Sequence, residues 1–325
     1  MSSPDPLRGP KARRRWRELD GIVLLDKPAG ASSNHALQKV RRLLLAAKGG
    51  HAGTLDPLAT GMLPLCFGQA TKACGQLLGS SKAYRARLRL GAATDTGDAD
   101  GTVIRECPRP AFDRAALEAV LAGFVGPREQ RPPMYSALKR DGRPLYELAR
   151  QGIEVEREPR RIEILALRLV AADETEIVFE VECTKGTYVR VLGEEIATAL
   201  GTCGHLGALR RLWVEPFAPD RMVTMDEIEL WAGQGEPPIE PPDWLLPVDT
   251  AFRDRPRLDL DVPQSVQLRQ GRVLAAPAGV VPSPGVRAYG ADGQFLGLVE
   301  VGADRKVRVE RLFVAGASGP AVNQA

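Results

Sequence analysis

A chain of 325 residues, 44% of them hydrophobic, is long enough for one large domain with a substantial core and a second, small one. Its formal charge of +3 is too slight to announce a nucleic-acid partner by itself. No apolar run nears the roughly 18 residues of a membrane span, and the N-terminus lacks a signal peptide's apolar core, so a soluble, cytoplasmic protein is expected.

The N-terminal run "KARRRWRE" places Lys11, Arg13, Arg14, Arg15 and Arg17 ahead of any periodic segment, and residues 1–20 read as a basic, disordered arm. A solvated tail and an RNA-touching arm are both open readings of it. "GIVLLDKPAG" predicts a buried strand from Gly21 that ends at Asp26-Lys27-Pro28. A helix follows, with Ser32 and Ser33 as N-cap candidates, Leu37, Val40 and Leu44 on its apolar face, and Gly49-Gly50 as its stop. Next comes "HAGTLDPLATG", residues 51–61, a Gly- and Pro-rich loop with Asp56 as its sole acid. An aspartate there serves either turn chemistry or a reaction that needs one fixed carboxylate.

"GQATKACGQLLG" predicts a second short helix. "KAYRARLRLGA" predicts a strand that alternates Tyr84, Ala86, Leu88 and Leu90 with Arg85, Arg87 and Arg89, which sets three arginines on one face. "TDTGDADG" contains the Asp95-Thr96-Gly97 tripeptide of aspartic proteases, but that chemistry needs a second such carboxylate, and the stretch reads as a polar hairpin turn. As a calcium loop it fails, with Thr96 at the first ligand place and Cys107 at the last. "AFDRAALEAVLAGFVG" predicts an amphipathic helix. The stretch from about 127 to 160 interleaves Arg131, Lys139, Arg140, Arg143 and Arg150 with Tyr135 and Tyr146, and suits either a solvated loop or a grip on folded RNA.

Two long strand-like runs, "RRIEILALRLV" and "TEIVFEVECTKGTYVRVL", precede a helix through "GEEIATALG" and a short apolar stretch, "HLGALRRLWV". Strands and helices mix without a βαβ rhythm, which predicts an α+β fold on a mixed, largely antiparallel sheet. The prolines of "GQGEPPIEPPDWLLP" mark a boundary, and a helix at "PQSVQLRQG" with strands at "GVRAYG", "FLGLVEV" and "KVRVERLF" forms a small β-rich module beyond it.

Five cysteines (Cys66, Cys74, Cys107, Cys183, Cys203) are odd in number and widely spaced, so neither a disulfide framework nor a Cys-x-x-Cys metal knuckle is expected. His35, His51 and His205 stand apart, which gives a metal site no support. No phosphate-binding glycine loop, dinucleotide fingerprint or nucleophile elbow occurs. What remains is a carboxylate expected to work with neither metal nor cofactor.

Four blocks carry a resemblance: "GHAGTLDPLATGMLPLCFGQATK", "KAYRARLRLGAATDTGDADG", "RPPMYSALKRDGRPLYELARQG" and "CTKGTYVRVLGEEIATALG". Together they resemble the TruB family of bacterial tRNA pseudouridine synthases, which isomerise the uridine at position 55 in the T loop of elongator tRNAs. The match runs from about Gly21 to Phe217, and the tail is similar, more weakly, to the family's PUA-like part. The resemblance implies a pseudouridine synthase domain over 21–250 whose basic insertion grips the tRNA T arm, and a PUA-like domain over 251–325. It implies Asp56 as the catalytic aspartate and Arg190 as its partner. It implies His51 as the wedge that fills the gap left by a flipped base, Tyr84 as the ring stacked on that base, and Tyr188 and Leu209 as pocket walls. Lys27 and Lys72 match positions near the site and the RNA backbone. No obligatory protein partner is evident, and a monomer is expected. Two rivals stand beside this reading: a synthase for another RNA, and a noncatalytic RNA-binding protein on the same fold.

Overall fold

The computed structural model describes residues 16–217, 220–233 and 240–313. The basic run from Lys11 to Arg15, and residues 234–239 of the proline-rich stretch, lie outside the described residues. The end of the N-terminal segment lies against the body: the Arg17 N–H donates to the Leu45 carbonyl at 2.8 Å, and Arg41 stands over the Trp16 ring.

Among the described residues the main sheet has ten strands. Its path runs Val223–Thr224, Gly21–Lys27, Thr60–Phe67, Gly204–Val214, Lys82–Leu90, Glu176–Cys183, Arg160–Ala172, Gly126–Gln130, with Gly49–His51 and Leu245–Leu246 paired at its side. Val223–Thr224 runs parallel to Gly21–Lys27, and Gly204–Val214 runs parallel to Thr60–Phe67; the other pairings are antiparallel, as the mixed reading expects. The second parallel pairing is very short. Only Arg210↔Thr60 and Arg211↔Gly61 are in register, and the two strands part beyond them. A cleft of about 410 Å³ opens beside the start of that pairing, lined among others by Ala29, Leu58, Thr60, Arg87, Leu209 and Arg210.

Helix Ser33–Leu43 begins where the sequence places it, with the Ser32 hydroxyl accepting the His35 N–H. It stops before Gly49-Gly50, because Leu45 takes a left-handed φ of 52°, and the two glycines instead open the short strand Gly49–His51. The "GQATKACGQLLG" segment divides into a 3₁₀ stretch, Gly68–Ala73, and a six-residue helix, Cys74–Gly79. The helix read through "GEEIATALG" starts earlier, at Val189, which brings Arg190 into its first turn. "HLGALRRLWV" is part of a central strand.

Strand Lys82–Leu90 keeps its alternation, Tyr84, Ala86, Leu88 and Leu90 inward and the three arginines outward. The arginine face is not bare. Arg85 pairs with Glu180 at 2.7 Å, and Arg87 and Arg89 reach Glu176 at 3.5 and 3.6 Å, because the neighbouring strand Glu176–Cys183 carries acids opposite them. The acid-rich stretch forms a hairpin turn between strands Ala92–Thr94 and Val103–Glu106.

One expectation about cysteine fails. Cys107 and Cys203, 96 positions apart in sequence, are joined by a disulfide with Cα atoms 5.7 Å apart. The hairpin folds back on the start of strand Gly204–Val214: the Gly91 N–H donates to the Cys203 carbonyl and the Cys107 N–H to that of Gly91. Long-range pairing of this kind leaves no mark in spacing.

A second sheet of five strands, ordered Arg257–Asp259, Ser283–Tyr289, Phe295–Val301, Lys306–Leu312, Leu274–Ala275, has its own core around Leu268, Val286, Val299 and Val307. It shares a further cluster with the main sheet, in which Phe252, Leu298 and Phe313 pack with Ile22, Met62 and Phe217.

Candidate active site

Asp56 lies in the loop between Gly49–His51 and Thr60–Phe67, and four sets of contacts fix that loop. The buried Ser33 hydroxyl accepts the Leu55 N–H at 2.8 Å and donates to the Leu55 carbonyl at 3.0 Å. The Pro57 carbonyl accepts from the Gly30 N–H at 2.8 Å and from Lys27 Nζ at 3.3 Å. The Ala59 N–H closes a turn on the Asp56 carbonyl, and Arg211 Nη2 holds the Gly53 carbonyl at 3.0 Å. Each anchor satisfies a main-chain group that the loop would otherwise leave bare. The Asp56 side chain stays partly exposed, at 39%, so the carboxylate is fixed yet reachable.

Arg190 meets it. Arg190 Nε stands 3.0 Å from Asp56 Oδ2 and 3.6 Å from Asp98 Oδ2, while its other nitrogens donate to the Thr96 carbonyl at 2.5 Å and the Tyr135 carbonyl at 2.7 Å. The guanidinium is 5% exposed, and its fork joins four segments: the Asp56 loop, the acidic hairpin, the basic insertion and its own helix. Burial pushes the Asp56 carboxyl above the ordinary carboxylate range; Arg190 pulls against that push and Asp98 adds to it.

The other predicted residues divide. His51 is half-buried, its Nδ1 has no hydrogen-bond partner among the described residues, and burial together with the Arg211 charge holds its pKa below the usual histidine value. Tyr84 is buried and its phenol is pushed up by that burial. Tyr188 caps the Arg190 helix, clamped on both main-chain groups by Gln130: its N–H donates to Gln130 Oε1 at 2.7 Å and its carbonyl accepts from Nε2 at 3.2 Å. Leu209, 8% exposed, lines the cleft.

The two lysines point elsewhere. Lys27 is fully buried, donating to the Pro28, Ala31 and Pro57 carbonyls at 2.8, 2.6 and 3.3 Å, and burial lowers its pKa to about 8. It therefore braces the Asp56 loop from within and presents no ammonium to solvent. Lys72 donates to the Leu312 carbonyl at 2.8 Å and lies over the Phe313 ring, which places it where the second sheet meets the first. Asp98, Arg211 and Ser33 were not singled out for the site by sequence reasoning. Asp98 is one of three acids in a turn, and nothing in the sequence marks it as the one that folds inward.

The comparisons with known proteins fall on this geometry. Three family models match consecutive stretches: TruB family pseudouridylate synthase (N terminal domain) over 41–189, tRNA pseudouridylate synthase B C-terminal domain over 190–253, and Pseudouridine synthase II TruB, C-terminal over 256–313. The chain is 46% identical over 303 residues to the tRNA pseudouridine synthase B of Xanthomonas campestris pv. campestris strain B100, covering 93% of this chain and 97% of that one. It is 49% identical over 303 residues to the protein of that name from Chromohalobacter salexigens, covering 93% and 96%.

The chain belongs to the TruB family of pseudouridylate synthases.

It is accordingly an enzyme, an isomerase that forms pseudouridine. Among solved structures, the one titled "Crystal Structure of a Cbf5-Nop10-Gar1 Complex" aligns with a TM-score of 0.68 at 25% identity, over 91% of this chain and 85% of that one. A second, "Structure of H/ACA RNP bound to a substrate RNA containing 2'-deoxyuridine", aligns at 0.67 with 22% identity, over 91% and 85%, and shares the fold. Among the described residues, no helix is long and apolar enough to cross a membrane.

Proposed function

We propose that this pseudouridine synthase acts on tRNA, at uridine 55 of the T loop, with Asp56 as its catalytic residue. The observation that carries the reading is the 3.0 Å contact between Asp56 and the buried Arg190, in a loop fixed from several sides. The reaction breaks the bond between uracil N1 and the ribose C1′, turns the base, and joins C5 to C1′; the C5 proton is lost and N1 gains one. A carboxylate can begin this by attacking the sugar carbon, by attacking the pyrimidine ring, or by taking a ribose proton. Each route needs it ionised, and Arg190 favours the ion that burial disfavours.

The remaining roles follow the same reading. His51, neutral and partly desolvated already, loses little by sliding into the stack that the target base leaves. Tyr84 offers a face for the flipped uracil, with Leu209 and Tyr188 as walls. Lys27 acts as a positioning residue beneath the loop, and Lys72, beside Lys48 and Arg311, adds cationic charge that suits an RNA backbone. The basic insertion grips the T arm, within a catalytic part spanning 21–250 and followed by a PUA-like part over 251–325. The protein acts without metal, cofactor or partner subunit.

The test is a nucleotide-resolution map of pseudouridine in tRNA from cells lacking the protein, complemented by wild type or Asp56→Asn. Loss at position 55, restored only by wild type, is expected. Modification confined to another RNA would overturn the assignment. Tight tRNA binding by the wild type with no tritium release from 5-tritiated uridine would favour a noncatalytic role.

A further inference from the structure

Arg211 is the largest of the fully buried side chains, 1% exposed, in the central strand Gly204–Val214. No carboxylate among the described residues lies within ion-pair distance of it, whereas Arg210 beside it pairs with Asp26 and Arg190 with two acids. A buried cation without a counter-ion is costly, so its partners must be neutral dipoles aimed at it. They are. Nε donates to the Met62 carbonyl at 2.6 Å and Nη2 to the Gly53 carbonyl at 3.0 Å, one on strand Thr60–Phe67 and the other on the loop between His51 and Asp56. Tyr84 is its cross-strand partner, so the phenol and the guanidinium share one face of the sheet.

Gly53 fits the same arrangement. It has a φ of +90°, and a Cβ there would meet Arg211 Nη1 at 3.1 Å, so the guanidinium packs closely against a turn with no side chain. Its charge also reaches His51, where it adds to burial in keeping the imidazole neutral.

We propose that Arg211 is a positioning residue for the isomerisation: its fork ties the 51–56 loop to strand Thr60–Phe67 beside Tyr84, holding wedge, carboxylate and stacking ring in one frame. The inference rests on the function proposed above. Lysine keeps the charge but not the planar fork, and cannot hold the Met62 and Gly53 carbonyls together in the same geometry.

The experiment measures single-turnover pseudouridine formation at saturating tRNA, and tRNA affinity separately, for wild type, Arg211→Lys, Arg211→Gln and Asp56→Asn. Arg211→Lys is expected to lose about 100-fold in rate while affinity stays within about threefold, the pattern of a misplaced constellation and not of lost binding. A folded Arg211→Lys enzyme at wild-type rate overturns the proposal, and so does one whose affinity falls as far as its rate. Should that variant fail to fold, Arg211→Gln decides, since it removes the buried charge and keeps one amide that can reach only one of the two carbonyls: slowed turnover with affinity intact supports the frame, and wild-type turnover overturns the proposal. Asp56→Asn separates the two readings. If it turns over normally the proposed function fails, and if it is inactive while Arg211→Lys runs normally only the present inference fails.

Discussion

Asp56 shows how one carboxylate is kept both reactive and placed. Burial raises its pKa and Arg190 counters, so activity that needs the ion should fall as pH drops through a midpoint above the ordinary carboxylate range. A pH–rate profile with an acid limb at or below that range would contradict this. The same sign governs stability. A carboxyl whose folded pKa is raised binds its proton more tightly when folded, so stability declines as pH rises through the interval between its unfolded and folded values. Asp56→Asn removes that cost, and thermal melting at pH 7 should place the variant at or above wild type, with turnover abolished and tRNA binding retained. Arg190→Lys keeps a charge but cannot serve Asp56, Asp98, Thr96 and Tyr135 at once; a rate loss of roughly 100-fold is expected in a tritium-release assay. Since Arg190 already supplies the positive charge that Asp56 needs, activity should survive EDTA; a loss that zinc restores would refute the metal-free mechanism.

At the scale of elements, the catalytic loop owes its shape to anchors from outside itself. Ser33→Ala strips two hydrogen bonds from buried Leu55 main chain and should cost about 1–3 kcal/mol, read by denaturant unfolding. Much of this organisation is legible in sequence. The alternation of Tyr84 to Leu90 declares its strand, and the Ser32 cap declares its helix, because both are local consequences of period and hydrogen bonding. The Asp56 loop is equally visible as a punctuated stretch. The contacts that give it meaning are not, since Asp98, Tyr135 and Arg190 come from separate segments that only the folded chain brings together. The buried fate of Lys27 is hidden for the same reason: a lysine after a strand normally faces water, and here three carbonyls converge on it. The arginine face misleads in the opposite direction, because its acids sit on a strand far away in sequence.

For the whole molecule, the decisive packing is the shared cluster in which Phe252, Phe295 and Phe313 stack or meet edge to face within about 6 Å, over residues of the main sheet. Phe313 is 5% exposed, and Phe313→Ala should destabilise the protein by about 3–5 kcal/mol. Because the cluster joins both sheets, calorimetry should show one transition in the wild type; two resolved transitions would mean that the modules melt independently.

The split between Thr60–Phe67 and Gly204–Val214 has a consequence of its own. With only two register pairs joining them, the seam relies on side chains as well: Arg211 holds the Met62 carbonyl across it, and Arg210 reaches past Thr60–Phe67 to Asp26 on the next strand through two bonds of 3.0 and 2.7 Å. Backbone ladders fix strand spacing to one value, whereas side-chain stitches can be lengthened or shortened one residue at a time. The aperture beside the catalytic loop can thus be retailored by point substitution while the surrounding architecture stays as it is.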